Sequence, residues 1–302
     1  MLACFFYDDQ VGFEVKGLGG GSHSLVKDVH RWLGVLFEDK KLQMGTKVEI
    51  LGILYDFEEL VLRVKEKRRV GLIEDINRFL LEDAMSPQEA AKLKGKLMFA
   101  ASQFWGRLGR AFLLALSERQ KASPDKLQLT LPVQLALLQW RLVLAERKPR
   151  PLAPPASTDV EVVIFTDGFY PDPRFKETGV PGIGGVCCEK GRQPLYFAER
   201  VAEAEMAVWS QRVTQIISVE MLAAVRALQA FTDRVGDKRV ILLIDSEAVE
   251  GALVEGYSGR EDLCQLVGVF WSLVRFLQCE LYLDRVLTDS NLADTPSRGS
   301  ST

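Results

Sequence analysis

Apolar and polar residues follow different patterns in the two parts of this chain. In the first part, a short strand pair (CFFYDDQ, then VGFEV) precedes segments with mainly helical periodicity. In the second part, apolar runs of strand length come first, and helices and strands then alternate, which predicts an α/β sheet. The stretch RKPRPLAPPASTD between them predicts a linker. We therefore expect a first part at 1–146, a linker at 147–159 and a domain at 160–302.

Three strand-like segments at hairpin spacing open the second part. VEVVIFTDGFY is apolar from Val162 to Phe165, and its strand delivers Asp167 at the carboxyl end. GIGGVCCE and PLYFAERV follow, so we expect an antiparallel trio. A fourth buried strand, KRVILLIDSEA, ends in Asp245, and Ser246 is placed to cap the next helix. CELYLDRV supplies the last strand.

Acidic residues end two of these strands. Parallel strands that finish in Asp167 and Asp245 bring both carboxylates to one edge of the sheet. Like charges crowded there repel, and divalent cations with hard oxygen ligands are the usual compensation. A further acid, Asp294, lies in the segment LTDSNLADTPSR, and spacing alone does not favour it over Asp289.

A third kind of acid occurs inside a helix. VTQIISVEMLAAVRALQAF has helical periodicity, and Glu220 is the only charge in its stripe of Ile216, Ala223, Ala227 and Phe231. A carboxylate on a packing face needs a partner or a metal, because burying a charge costs several kcal/mol. The alternative interpretation buries Met221 and Leu222 and leaves Glu220 at the margin.

The first part has a well-specified helix start and a basic helix face. Ser86 and Glu89 have capping-box spacing, and Pro87 suits the first helical position. The helical pattern downstream places basic residues beside apolar ones, and these are Lys92, Lys96, Arg107 and Arg110. Such a face can neutralise phosphates. A solvated helix surface is the alternative.

Charge and cysteine usage add limited information. Residues 1–150 hold 24 Lys and Arg against 19 Asp and Glu, and the remainder holds 14 against 22, so a basic half precedes an acidic half. The five cysteines have no zinc-site spacing, which favours reduced thiols. No signal peptide and no membrane-spanning apolar run is present. We expect a soluble intracellular protein of the cytoplasm or nucleus that is not secreted.

The acids of the second part resemble those of retroelement ribonuclease H. TDG on the first strand, a helix glutamate, an aspartate ending the fourth strand and N-L-A-D-T-P-S-R near the C-terminus match its four-acid set in order. The resemblance implies a ribonuclease H-like mixed sheet, with three antiparallel strands plus parallel strands and helices. It implies that two Mg²⁺ ions, or Mn²⁺, bind among the four acids, and it favours Asp294 over Asp289. The implied catalytic and metal-binding residues are Asp167, Glu220, Asp245 and Asp294.

The segment at the start of the chain carries a second resemblance. F-Y-D-D is similar to the Y-x-D-D hairpin of a reverse-transcriptase palm, with Asp8 and Asp9 as paired acids. VEILGILYDF resembles the strand pair that grips a primer end, and the helices after Ser86 resemble those that follow in retroelement polymerases. The resemblance implies a truncated, mainly helical palm, thumb and connection region. We expect no polymerase activity from it unless another chain supplies the missing upstream region.

The two resemblances together imply hydrolysis of the RNA strand of an RNA–DNA hybrid. Ser246, Asn291 and Arg298 lie beside the acids in sequence and are candidates for contacts with the hybrid. One alternative is a non-catalytic nucleic-acid-binding remnant of a retrotransposon polyprotein. Another keeps the fold but changes the reaction to DNA strand transfer or exonuclease cleavage.

Overall fold

The computed structural model describes residues 2–6, 9–14, 17, 19–35, 43–50, 52–101, 107–146, 149–152, 159–172, 174 and 178–299. Within these ranges, no helix is both long enough and apolar enough to cross a membrane.

The first part begins with the predicted strand pair. Strands β1 (Leu2–Phe6) and β2 (Asp9–Phe13) are antiparallel, with Phe6 opposite Asp9. Asp8 lies outside the described residues. The chain continues through a small sheet and five helices, which are α1 (Gly19–Trp32), β3 (Lys47–Ile50), β4 (Ile53–Asp56), β5 (Val61–Val64), α2 (Glu66–Glu82), α3 (Pro87–Ala100), α4 (Arg107–Lys121) and α5 (Leu131–Ala145).

The start of α3 confirms the capping prediction. The Ser86 hydroxyl accepts a hydrogen bond from the Glu89 amide at 3.2 Å, and the Ser86 amide donates to the Glu89 carboxylate at 2.9 Å. Pro87 occupies the first helical position. These bonds satisfy amides that a helix start otherwise leaves unpaired.

The predicted linker contributes a short strand. Strand β6 (Arg150–Pro151) pairs antiparallel with β5, so the small sheet has the order β3-β4-β5-β6. The amide of Leu152 donates to the Leu60 carbonyl at 2.8 Å. The chain between the two parts is therefore attached to the first part at this point.

The second part is built on a five-stranded mixed sheet, as predicted. The strand order is β11-β10-β7-β8-β9, with β7, β8 and β9 antiparallel and β7, β10 and β11 parallel. Its elements are β7 (Val162–Phe169), β8 (Gly182–Glu189), β9 (Leu195–Arg200), α6 (Glu203–Met206), α7 (Ile216–Ala230), α8 (Thr232–Val235), β10 (Arg239–Ile244), α9 (Glu247–Glu255), α10 (Glu261–Leu277), β11 (Glu280–Arg285) and α11 (Asp294–Ser297).

Strand β7 extends further than its apolar run indicates. Asp167 lies inside the strand, which continues to Phe169, because β8 pairs with it along its whole length. The parallel neighbour β10 stops earlier, at the pair formed by Ile244 and Thr166. The antiparallel hairpin therefore carries Asp167 just beyond the parallel part of the sheet.

The two parts of the chain share a hydrophobic core. Helix α7 packs against β7 and β8, α10 packs against α7, and α4 from the first part packs against α10. The contact between α4 and α10 is close, since a Cβ on Gly268 would lie 2.5 Å from the Phe112 ring. Phe112 and Phe270 belong to one buried cluster. The predicted boundaries at 146 and 160 therefore divide the sequence but not the hydrophobic core, because side chains from both sides of the linker pack together.

Candidate active site

Three of the predicted acids converge at one edge of the sheet. Asp167 lies on β7, Glu220 on α7 and Asp245 directly after β10. Each contributes a carboxylate oxygen, and these oxygens lie within 4.8 Å of one another. The parallel register explains why the two aspartates meet, because Ile244 is opposite Thr166 and the residue that follows each of them in the chain is an aspartate.

A glycine brings the helix glutamate to the sheet. A Cβ on Gly168 would lie 2.6 Å from the Glu220 nitrogen and 2.8 Å from its Cα, so only a residue without a side chain permits this approach. The Gly168 amide donates a hydrogen bond to the Glu220 carboxylate. Glu220 is only 8% exposed, and Met221 and Leu222 are also buried. Both interpretations of α7 therefore hold in part, since the helix is covered by the sheet on one side and by α10 on the other.

Helix α11 closes the other face of the sheet. Gly184 pairs with Asp167, and a Cβ on it would lie 2.5 Å from the Ser297 nitrogen. Since neighbouring residues on a strand face opposite sides, α7 beside Gly168 and α11 beside Asp167 lie on opposite faces. The Ser297 hydroxyl donates a short hydrogen bond to Oδ2 of Asp167 and lies 2.9 Å from the Asp294 carbonyl.

The fourth predicted acid lies near the trio without joining it. Asp294 is the first residue of α11, and its Oδ1 accepts a hydrogen bond from Nε of Arg298 at 3.0 Å. Its charge is close enough to raise the pKa of Asp167. The rival Asp289 is exposed, in a 3₁₀ turn over Thr288–Ser290.

Burial and mutual repulsion raise the pKa values of two carboxyls in this site, Asp167 and Glu220. Burial, followed by repulsion from Asp167 and Asp245, raises the pKa of Glu220 to about 9, against the opposing hydrogen bond from Gly168. Burial also raises the pKa of Asp167 to about 6, assisted by the charges of Asp245 and Asp294 and opposed by the Ser297 hydrogen bond. At neutral pH Glu220 therefore keeps its proton while Asp167 is mostly ionised, and a cation bound here would favour the ionised form of both carboxyls.

The trio fits a divalent cation. Among the described residues, Oε2 of Glu220 and Oδ1 of Asp245 are buried and have no hydrogen-bond partner. Buried carboxylate oxygens without donors are the hard ligands that Mg²⁺ and Mn²⁺ take. Asp167, Glu220 and Asp245 would hold such an ion, with Asp294 at the margin of the same site.

The three candidates for hybrid contacts occupy different positions. Asn291 is buried, and its Nδ2 donates to the Thr166 carbonyl at 3.0 Å, which ties the loop before α11 to β7. Ser246 occupies the N-cap of α9, but its side chain makes no capping hydrogen bond. The guanidinium of Arg298 lies 4.8 Å from the centre of the Phe169 ring and is half-exposed.

The four basic residues of the first part do not form one helix face. Lys92 and Lys96 lie on α3 and are exposed, and Nζ of Lys96 lies 2.6 Å from Oδ2 of Asp75. Arg107 and Arg110 lie on α4 and donate to backbone carbonyls of the second part. Phosphate binding by this set stays a prediction.

Ser297 and the glycines that flank the site were not among the functional residues predicted from the sequence. Gly168 and Gly184 occur in the quoted segments TDG and GIGGVCCE, and Ser297 in the segment that contains Asp294. For Gly168 the available signal was its position directly after Asp167, because close approach of backbone segments requires glycine.

The chain is similar to solved structures only at low sequence identity and low TM-score. No protein-family model and no curated protein sequence matches the chain. Among 106 matching chains of solved structures, the N-terminal RNase H domain of a Mycobacterium tuberculosis protein, fused to maltose-binding protein, has 17% identity and a TM-score of 0.36. The match covers 47% of this chain and 94% of that one.

Two further structures are similar at the same level. RNase H1 from the halophilic archaeon Halobacterium salinarum has 19% identity and a TM-score of 0.34, covering 45% of this chain and 96% of that one. LC11-RNase H1, in a complex with an RNA/DNA hybrid, has 20% identity and a TM-score of 0.34, covering 46% and 96%. These values do not assign the chain to a family.

Proposed function

We propose that residues 160–302 form a ribonuclease H that uses Mg²⁺ or Mn²⁺ to hydrolyse the RNA strand of an RNA–DNA hybrid. The observation that carries the proposal is the convergence of Asp167, Glu220 and Asp245, with two buried carboxylate oxygens that lack donors among the described residues. Two strands and a helix, distant in sequence, supply these acids. An assembly of this kind is costly unless it binds cations.

The residues of the chain have distinct tasks in this proposal. When bound, divalent cations supply a water nucleophile at neutral pH and stabilise charge on the leaving oxygen. Ser297 orients the Asp167 carboxylate, and the Gly168 amide orients that of Glu220. Asp294 completes the four-acid set from α11, where Arg298 holds it beside the site.

Contacts with the hybrid are part of the same proposal. The 2′-hydroxyls of the RNA strand are the groups that distinguish it from DNA. Arg298 is half-exposed at the edge of the cluster and is the strongest of the three candidates for a phosphate contact. Ser246 is accessible at the start of α9, whereas the amide of Asn291 already bonds to the backbone of β7.

For the first part, we propose descent from a retroelement reverse transcriptase. The antiparallel pair β1 and β2 has the arrangement expected of a palm hairpin, and β3 and β4 form the strand pair expected around Gly52. Gly52 has φ of 84°, which suits the turn between them. The proposal assigns hydrolysis to the carboxylate cluster and no polymerase chemistry to Asp8 and Asp9.

Cleavage of a defined hybrid by the full chain tests the nuclease proposal. With a labelled RNA strand, we expect cleavage that requires Mg²⁺ or Mn²⁺, and no cleavage of DNA duplex or single-stranded DNA. Asp245→Asn removes one cation ligand and should lower the rate by about 100-fold or more, beyond the loss seen for outer partners of metal ligands. Asp284→Asn, at an exposed aspartate of β11, is the matched control and should cleave normally.

Three results would contradict the proposal. Equal loss in both variants would remove Asp245 from the chemistry. Cleavage of DNA at a similar rate would favour strand transfer or exonuclease activity. Binding of the hybrid without any cleavage would favour the non-catalytic remnant.

A further inference from the structure

The C-terminal end of helix α9 is bonded by side chains from two other helices. Three consecutive carbonyls each accept a side-chain hydrogen bond: Leu253 from Nε1 of Trp271 at 3.0 Å, Val254 from Nε of Arg107 at 2.8 Å, and Glu255 from Nη1 of Arg110 at 3.1 Å. The Leu253 carbonyl also accepts from the Gly256 amide at 3.2 Å. Carbonyls in the last turn of a helix have no partner within the helix, so external donors stabilise that end. Two of the three donors carry a positive charge, which also complements the helix dipole.

These two arginines belong to the first part of the chain. They lie in the first turn of α4, and the guanidinium of Arg107 is 4.9 Å from the centre of the Trp271 ring. Helix α9 ends at Glu255, and its C-cap residue Gly256 has a φ of 69°. A Cβ there would lie 2.6 Å from the Cα of Arg107, so the two backbones are in close contact. The C-terminal end of α9 therefore packs directly against the start of α4.

The opposite end of α9 adjoins the carboxylate cluster. Asp245 immediately precedes the N-cap residue Ser246, and Ser246 makes no side-chain capping bond. At 1.5 Å per residue, the nine residues of α9 span only about 14 Å. The far end of the helix is therefore held by three side-chain hydrogen bonds to its carbonyls. The end that adjoins Asp245 has no side-chain cap, and its side-chain contacts there are the looser ion pairs of Arg285 with Glu247 at 3.5 Å and Glu250 at 3.9 Å.

We propose that Arg107 and Arg110 are positioning residues, through which the first part of the chain holds α9 and so places Asp245 for cation binding. The inference rests on the proposed metal centre. It gives the two arginines a task other than phosphate binding, and it makes the helical first part a component of the nuclease site.

Binding of Mn²⁺ alone to the full chain tests the inference without substrate or turnover. The loss of the free-ion electron paramagnetic resonance signal gives the dissociation constant. For the double variant Arg107→Gln, Arg110→Gln we expect binding weaker by about tenfold, the low end of the effect of partners that orient metal ligands. The double lysine variant keeps one charged donor at each position and should recover part of the affinity.

Arg275→Gln is the matched control. It removes another arginine contact between the two parts, in which Nε of Arg275 lies 2.6 Å from Oε2 of Glu146, but it leaves α9 untouched. We expect its Mn²⁺ affinity to equal that of the unchanged protein. Urea unfolding of every variant establishes that binding is measured on folded protein, and the single variants Arg107→Gln and Arg110→Gln serve if the double one does not fold.

The possible results separate the two proposals. If the unchanged protein binds Mn²⁺ and the arginine variants bind it equally well, the positioning inference is wrong and the metal centre stands. If Arg275→Gln weakens binding as much as the arginine variants do, the effect is general loosening between the two parts and the inference is also wrong. If the unchanged protein binds no Mn²⁺, the metal centre itself is overturned, and the inference with it.

Discussion

The backbone of Glu220 lies against the Cα of Gly168, closely enough that a Cβ there would be 2.6 Å from the Glu220 nitrogen. The glycine thus sets the distance between β7 and α7, and with it the distance between the carboxylates of Asp167 and Glu220.

Replacing this glycine should loosen both the fold and the site. We expect Gly168→Ala to lower the free energy of unfolding by about 2 kcal/mol, because the added carbon forces α7 away from the sheet. Urea denaturation measures this loss, and the same variant should bind Mn²⁺ more weakly. Gly95→Ala is the control, since a Cβ there meets nothing within 4 Å and alanine in a helix interior gains up to about 1 kcal/mol. If Gly168→Ala has the free energy of unfolding of the unchanged protein, α7 can move away from β7 without loss of stability, and the close contact is not required.

The raised pKa values predict an unusual pH dependence without divalent cations. Glu220, with a pKa of about 9, binds its proton more tightly in the folded protein than in the unfolded chain. Its contribution to stability is therefore full at low pH and is lost as pH rises from about 4.5 towards 9. The expected slope is about 1.4 kcal/mol per pH unit where the carboxyl is protonated only in the folded state.

Urea unfolding in a chelating buffer, repeated across this pH range, measures the slope. Glu220→Gln carries no titrating proton and should flatten it, although the smaller contribution of Asp167 up to about pH 6 remains. Adding Mg²⁺ to the unchanged protein should also flatten it, since the cation favours the ionised carboxylates. A stability profile that is level with pH in the chelator would contradict the buried, protonated glutamate.

The choice between two aspartates can be made by paired substitution. Asp294 lies beside the trio and interacts with Asp167, whereas Asp289 is exposed in a 3₁₀ turn. We expect Asp294→Asn to reduce hybrid cleavage by at least about tenfold and Asp289→Asn to leave the rate unchanged. The reverse ranking would mean that Asp289 is the fourth acid.

Salt dependence tests the two lysines of α3. Each phosphate contact on a duplex adds about 0.9 to the slope of log affinity against log salt, so Lys92→Gln with Lys96→Gln should lower the slope by about 1.8. Lys126→Gln, at an exposed lysine after α4, is the control. If the double variant and the unchanged protein have the same slope, these two lysines do not contact phosphate. Lys96 would then only form its ion pair with Asp75.

The packing of α4 on α10 predicts that the two parts unfold together. Gly268→Ala places a carbon 2.5 Å from the Phe112 ring and should cost about 1–3 kcal/mol. Combining it with Phe112→Leu should cost less than the sum of the single changes, because the smaller side chain makes room. Additive losses, or two separate urea transitions, would contradict a shared core.

Local sequence determined the elements of this protein. The hairpin spacing of β7, β8 and β9 and the apolar run of β10 each depend on neighbours in the chain, and so does the capping box at Ser86. Strand alternation and helix capping arise from contacts within a few residues, so the pattern of the sequence is enough to predict them. The order of three acids on β7, α7 and the end of β10 followed from the same local patterns.

Only the tertiary structure decided how those elements meet. The sequence already predicted that parallel strands bring Asp167 and Asp245 to one edge of the sheet, and the register of β10 against β7 confirms it. The close approach of α7 at Gly168, by which Glu220 reaches them, is seen only in the folded structure. The packing of α4 on the second part directed Arg107 and Arg110 to the end of α9, although their own segment predicts a phosphate-binding face. These relationships join residues far apart in the chain. Their free energy depends on close packing between faces, which the periodicity of either segment alone does not contain.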